Sequence, residues 1–226
     1  MRLDIPTIIL NFKAFREALG NHALELAKTA EKVSLETGVQ VAVCPCLTDL
    51  QNVVNHVSIP VLAQHCDPHK PGPFTGSVVA ESLKTIGVVG SLLNHSEKRM
   101  KLSDLTLSVT RLRENGLISV VCADDVSAAV AAAALKPDAV AVEPPELIGT
   151  GISVSTAKPE VVSEAVARVK TANPNVVVLC GAGVSTAEDV RKAVMLGAEG
   201  VLLSTAYVKS RDPEKLLREM CLATKG

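Results

Sequence analysis

Along the chain a short apolar run rich in β-branched residues gives way to a polar or glycine-containing cluster, and then to a longer amphipathic stretch. This phrase recurs eight times. The runs are Ile5–Leu10, Val39–Val43, Pro60–Ala63, Gly87–Leu93, Leu117–Val121, Ala139–Val142, Val176–Leu179 and Gly200–Leu203. From Asn11 to Ser204 the polar ends fall about 27 to 28 residues apart, room for one strand and one crossover helix, which predicts a parallel sheet. Helices are predicted over Glu17–Thr37, Thr48–His56, Ser77–Thr85, Ser103–Asn115, Asp125–Lys136, Lys158–Ala172, Thr186–Leu196 and Pro213–Ala223. Gly38, Asn115–Gly116 and Gly197 read as stops, Ser185 and Asp212 as N-caps, and Pro213 suits a first turn.

Eight alternations with no Ser/Gly-rich linker, charge run or composition break predict the α/β class: one closed (β/α)8 barrel domain with an eight-stranded parallel sheet, spanning residues 1–226. The rival, an open doubly wound sheet, normally carries a glycine-rich turn after its first strand, and Leu10-Asn-Phe-Lys-Ala14 has none. In a barrel the chemistry gathers where the strands end.

Composition removes several classes of function. With 47% hydrophobic residues, 21% charged and a net charge of −1, the chain can bury a large core, which argues against disorder. It lacks the basic surplus that phosphate-backbone binding uses, and its three Phe and one Tyr leave little for stacking bases, so no nucleic-acid partner is expected. The opening Met1–Leu10 is broken by Asp4 and Pro6 and runs into Asn11 and Lys13, so neither a signal peptide nor a membrane span is expected, and the protein should be cytoplasmic. Six cysteines without disulfide or zinc spacing fit reduced thiols in that compartment.

The clusters after the strands supply the candidate chemistry. Asn11 and Lys13 alternate about Phe12, so an amide and an ammonium can both point into a barrel mouth, where the ammonium would draw an anion. His95, within Asn94-His95-Ser96-Glu97, sits at a strand end before a charged stretch expected to be helical. The positive end of that helix would keep the imidazole neutral and able to donate a hydrogen bond. Glu143 follows an apolar strand and is trailed by Pro144-Pro145 and Gly149-Thr150-Gly151, the anatomy of a stiff flap with a swivel that closes over a site; Glu146 should point outward. Gly181-Ala-Gly183 and Ser204-Thr205 put small residues at the last two strand ends, where backbone amides can approach a phosphate. His65-Cys66-Asp67-Pro68-His69 holds possible metal ligands but reads as an extended loop, and no metal is expected; Asp125 reads as a helix cap.

In order, Asn11-x-Lys13, Asn94-His95-Ser96-Glu97, Glu143-Pro144 with Ile148-Gly149-Thr150-Gly151, and Cys180-Gly181-Ala182-Gly183-Val184 resemble the triosephosphate isomerase family, and the short length looks like its compact archaeal form. The resemblance implies an aldose–ketose isomerase of glycolysis and gluconeogenesis acting on a triose phosphate without metal or organic cofactor. It implies Glu143 as the base, His95 as the electrophile, Lys13 holding negative charge, Asn11 supporting both, and Glu97 ordering the site from behind. It also implies phosphate contacts from the amides of Gly149, Gly183, Ser204 and Thr205, and a homo-oligomer, dimer or tetramer, built through the Gly72–Gly76 loop with Thr75 at its tip. Against the family pattern, Phe12 replaces a tryptophan, Gly183 a serine, Ser204-Thr205 a glycine pair and Cys180 a tyrosine. A Schiff-base sugar-phosphate aldolase using Lys13, and a phosphate-sensing barrel without turnover, are the alternatives.

Overall fold

Aliphatic and β-branched side chains pack well on both faces of a pleated sheet, and each apolar run forms a strand. In this computed structural model, which describes residues 3–225, the strands are β1 (Thr7–Asn11), β2 (Gln40–Cys44), β3 (Leu62–Ala63), β4 (Gly90–Leu93), β5 (Ile118–Ala123), β6 (Ala139–Val142), β7 (Val177–Cys180) and β8 (Gly200–Leu203). All pair in parallel in the order β2-β1-β8-β7-β6-β5-β4-β3. A parallel bridge between Val43 and Val61 joins the two ends, giving the expected eight-stranded barrel. That seam is the thinnest in the sheet, because β3 has only two residues and the preceding Pro60 can accept from Val43 but cannot donate.

The helices are α1 (Asn21–Thr37), α2 (Leu50–Val54), α3 (Ala80–Thr85), α4 (Leu102–Glu114), α5 (Val126–Ala134), α6 (Val154–Ala157), α7 (Pro159–Ala172), α8 (Ala187–Met195), α9 (Thr205–Val208) and α10 (Pro213–Ala223). The short α6 and α9 have no counterpart in the periodicity, since four residues carry no amphipathic signal. Helix α1 starts four residues later than the pattern suggests, because Arg16–Ala18 make a separate 3-10 turn ahead of Gly20. Asp125 and Asp212 cap as expected. Ser185 does not: the cap of α8 is Thr186, whose hydroxyl accepts from the Asp189 amide while Asp189 returns the bond, closing a capping box.

The apolar residues divide into two layers by strand alternation. Ile9, Leu92, Ile118, Val120, Leu179 and Leu202 fill the barrel interior, whereas Ile8, Leu10, Val43, Val121 and Val140 pack between sheet and helices. One step beyond the interior set, the same alternation turns Asn11, Glu143, Gly181 and Ser204 inward at the carboxyl rim. Among the described residues no helix is long and apolar enough to cross a membrane, and all six cysteines are free.

Candidate active site

A cavity of about 250 Å³ opens at the carboxyl rim, lined by Asn11, Lys13 and His95 from the β1–β4 strand ends and by Glu143, Gly149, Gly183, Ser204 and Thr205 from the β6–β8 ends. Of the residues nominated from the sequence only Glu97 stands outside this lining; it lies behind, against Lys13 and His95.

On the β1–β4 side the polar groups hold one another. Lys13 has a left-handed backbone (φ 51°), which a side chain tolerates only when its surroundings insist. Here the Asn11 Oδ1 accepts its amide at 2.9 Å, and Gln64 Nε2 donates to the carbonyls of Lys13 and Cys44, both at 2.9 Å. Lys13 Nζ then meets Glu97 Oε1 at 2.8 Å. His95 is 6% exposed, and the Glu97 amide donates to its Nδ1 at 3.2 Å, so the neutral ring carries its proton on Nε2, facing the cavity. Burial first, and the Lys13 charge next, hold its pKa below the usual imidazole range. The expected helix is not the cause. Ser96–Glu97 form a turn closed by the Lys98 amide on the His95 carbonyl, and α4 begins only at Leu102.

Asn94 makes the bend that presents the imidazole. It too is left-handed (φ 58°), with Nδ2 donating to the Cys122 carbonyl and Oδ1 accepting from the Met100 amide, both at 3.0 Å. Gln64 was not singled out by the sequence patterns, and Asn94 was read only as part of its motif, although an Asn before His95 is a usable sign of a left-handed residue.

The β6–β8 side is built differently. Glu143 is 4% exposed, its Oε1 lies 3.9 Å from His95 Nε2, and its Oε2 has no hydrogen-bond partner. Burial raises its pKa to about 7, against the pull of the adjacent Cys122 thiol and of the Lys13 charge. The carboxyl arm fits only because residue 181 is glycine: a Cβ there would stand 2.4 Å from Glu143 Cγ.

Beyond Glu143 the chain makes a 3-10 turn, Pro145–Leu147, with Leu147 tucked in and Glu146 outward on Lys158 at 2.5 Å. Gly149 and Gly151 follow, both left-handed. Gly183, also left-handed, lies under the far end of this segment, where a Cβ would meet the Ile152 carbonyl oxygen at 1.9 Å. The Ser204 hydroxyl is buried without a partner.

The other motif takes structural partners. His65 Nε2 and Asp67 Oδ1 bind each other at 3.0 Å, Asp67 also accepts from the Val78 amide, and His69 stacks on Phe74. No three metal donors converge among the described residues. At the rim, therefore, a carboxyl group whose pKa is near neutrality, an imidazole N–H and an ammonium group surround space for one small anion. That set can move a proton next to a carbonyl.

Comparison with known proteins bears on which anion. The sequence model of one family, described as "Triosephosphate isomerase", matches residues 6–220. The triosephosphate isomerase of Methanothermus fervidus is 56% identical over 218 residues, covering 96% of this chain and 98% of that protein. Those of Methanocaldococcus jannaschii and Archaeoglobus fulgidus are 50% and 51% identical over 213 residues, covering 94% of this chain and 97% and 96% of theirs.

Proposed function

The chain belongs to the triosephosphate isomerase family, and from that premise we propose that its single barrel domain interconverts dihydroxyacetone phosphate and D-glyceraldehyde 3-phosphate through an enediolate. The observation that carries the reading is the pairing at the rim: a buried Glu143 whose Oε2 has no partner and whose Oε1 lies 3.9 Å from the Nε2 of a neutral His95 with its N–H turned inward.

In this mechanism Glu143 removes a proton from the carbon beside the carbonyl and returns it to the neighbouring carbon. A carboxyl group with a pKa near 7 suits both halves, being ionised often enough to accept and acidic enough to give back. His95 Nε2–H hydrogen-bonds the carbonyl oxygen and carries hydrogen between the two oxygens. Lys13 compensates the enediolate charge, Asn11 supports substrate and Lys13 alike, and Glu97 fixes Lys13 and the imidazole tautomer. The amides of Gly149, Gly183, Ser204 and Thr205 hold the phosphate, and the 144–153 segment closes over the enediolate to exclude water, because an exposed enediolate phosphate expels its phosphate. Side chains and amides perform every step, and no metal or cofactor is assigned.

We also propose a cytoplasmic enzyme of glycolysis and gluconeogenesis that works as a homo-oligomer. The Gly72–Gly76 loop stands exposed, and beside the site lies a second cavity of about 370 Å³, lined by Lys13, Cys46, Gln64 and His65, where a partner's Thr75 loop would fit. Sedimentation at micromolar concentration should show a dimer or larger species; monomer alone would overturn this part. For the activity, the test is a coupled isomerase assay with purified protein and phosphoglycolate as competitor. Competitive inhibition of measurable turnover is expected, and phosphate binding without isomerisation would leave only a sensor.

A further inference from the structure

The segment that follows Glu143 ends in a buried polar network that the chemistry above does not use. Ser153 and Ser155 are each 2% exposed and Asp189 is 9% exposed. Ser153 and Ser155 share a hydroxyl–hydroxyl bond of 2.8 Å, and Ser155 Oγ donates to the Asp189 main-chain carbonyl at 3.0 Å. The two carboxylate oxygens of Asp189 divide their work. Oδ2 accepts from the amides of Ser185 and Thr186 and from both their hydroxyls, at 2.9–3.3 Å, while Oδ1 accepts from Thr156 Oγ1 at 3.2 Å.

A helix cap needs only Thr186 and one carboxylate oxygen. The bonds from Ser155 and Thr156 exceed that need, and they come from α6, immediately after the closing segment. Further ties run between the same two stretches. Ser185 Oγ, whose single proton is shared between Asp189 Oδ2 and the Gly151 carbonyl, lies 3.2 Å from that carbonyl, the Val154 amide donates to the Ala182 carbonyl at 3.1 Å, and the Ile152–Ser153 peptide rests on Gly183. The two stretches that carry phosphate amides, around Gly149 and around Gly183, are thereby fastened to each other at one end.

We infer that Asp189 and Ser155 are positioning residues that lock the exit of the 144–153 segment to the loop after β7, so that closure brings the Gly149 amide to the anion already held at Gly183. This rests on the isomerase reading above. A swing anchored at one end delivers its amide in one register, whereas a segment free at both ends closes in several, and a loosely closed enediolate has time to collapse. In that collapse the C–O bond to phosphate breaks, inorganic phosphate leaves with the electron pair, and the remaining enol ketonises to methylglyoxal.

The test compares Ser155→Ala and Thr156→Val with the wild type. Thr156→Val is on the surface, leaves the capping box intact, and keeps the experiment decisive should the buried change unfold the chain. Expected for each is a rise of about fivefold, the size of one lost hydrogen bond, both in the KM for dihydroxyacetone phosphate and in the fraction of turnovers yielding methylglyoxal and phosphate, with an unchanged pH profile. A lowered melting temperature with wild-type KM and wild-type partition in both variants would overturn the inference and leave a plain helix cap. Wild-type protein without isomerase turnover would instead overturn the reading on which it rests.

Discussion

The two halves of the rim differ in how completely their polar groups are satisfied. On the β1–β4 side, Lys13, Glu97, His95, Asn11 and Gln64 bond to one another. On the β6–β8 side, Glu143 Oε2 and Ser204 Oγ are buried with no partner at all. An unpaired buried polar atom costs about 1–3 kcal/mol, so folds tolerate few of them. Among the described residues the only other such atoms are Glu81 Oε2 and Arg111 Nε, which belong to one ion pair on the flank of the barrel. The finished half is an electrostatic frame that needs nothing from a substrate. The other, unfinished half keeps two unpartnered polar atoms facing the cavity, and there the chain is rich in left-handed glycines, Gly149, Gly151 and Gly183.

Breaking the unfinished half should therefore damage chemistry far more than folding. Glu143→Asp withdraws the carboxylate by one methylene from its carbon target, and a displacement of about 1 Å in a reacting group costs roughly 100-fold or more. Turnover should fall by at least that much with KM and melting temperature nearly unchanged. Wild-type turnover in the steady-state assay would remove Glu143 from the mechanism. Gly181→Ala tests the same geometry from behind. Its new Cβ would collide with Glu143 Cγ, so turnover should fall roughly 100-fold, again by displacement of the base. The circular dichroism spectrum should stay native, and full activity would mean that the carboxyl arm has another place to lie.

The two halves also differed in how far they could be read from the sequence. The barrel was legible because strand and helix periods repeat eight times, and Glu143 because a carboxylate before Pro-Pro and Gly-x-Gly is an uncommon phrase. His95 was found for a partly mistaken reason. Its neutrality comes from burial and from Lys13, not from a helix terminus, and burial is set by contacts between strands that are distant in sequence. For the same reason Gln64 escaped notice, and Gly181 was read only as a small residue near a phosphate, not as the space that Glu143 occupies. One acts on a carbonyl 51 residues away and the other makes room for a side chain 38 positions earlier, and neither leaves a local pattern. The cap of α8 was missed by one residue because Ser185 and Thr186 are equally good cap formers, and only the return bond from Asp189 chooses between them.

The pH profile tests whether the unfinished half works as an acid–base group. The base must be ionised to accept a proton, and burial holds the Glu143 pKa up at about 7. Below that pH the ionised fraction falls tenfold per unit, so kcat/KM should drop with unit slope on the acid side. His95, held below the usual imidazole range, adds a further loss only at lower pH still. An acid limb near 4.5 would place Glu143 in water and remove the reason for its burial.

The smallest effect expected is also the one that separates the halves most cleanly. Ser204 belongs to the inward-facing rim set with Asn11, Glu143 and Gly181, and its hydroxyl lacks a protein partner. If an anion completes it, Ser204→Ala removes a bond that exists only in the complex, and removes a buried orphan from the free protein. The two consequences run in opposite directions. The inhibition constant of phosphoglycolate should rise about tenfold, the lower end of what one hydrogen bond to a charged group is worth, while the free protein gains about 1 kcal/mol. For a chain of this length that gain raises the melting temperature by about 2–4 °C. The opposite trade is expected on the finished side: Gln64→Ala frees the Lys13 and Cys44 carbonyls and should lower the melting temperature whether or not ligand is present. Weaker inhibitor binding together with a lower melting temperature in Ser204→Ala would show that its hydroxyl is satisfied in the free protein after all, and the contrast between the two halves would then rest on Glu143 alone.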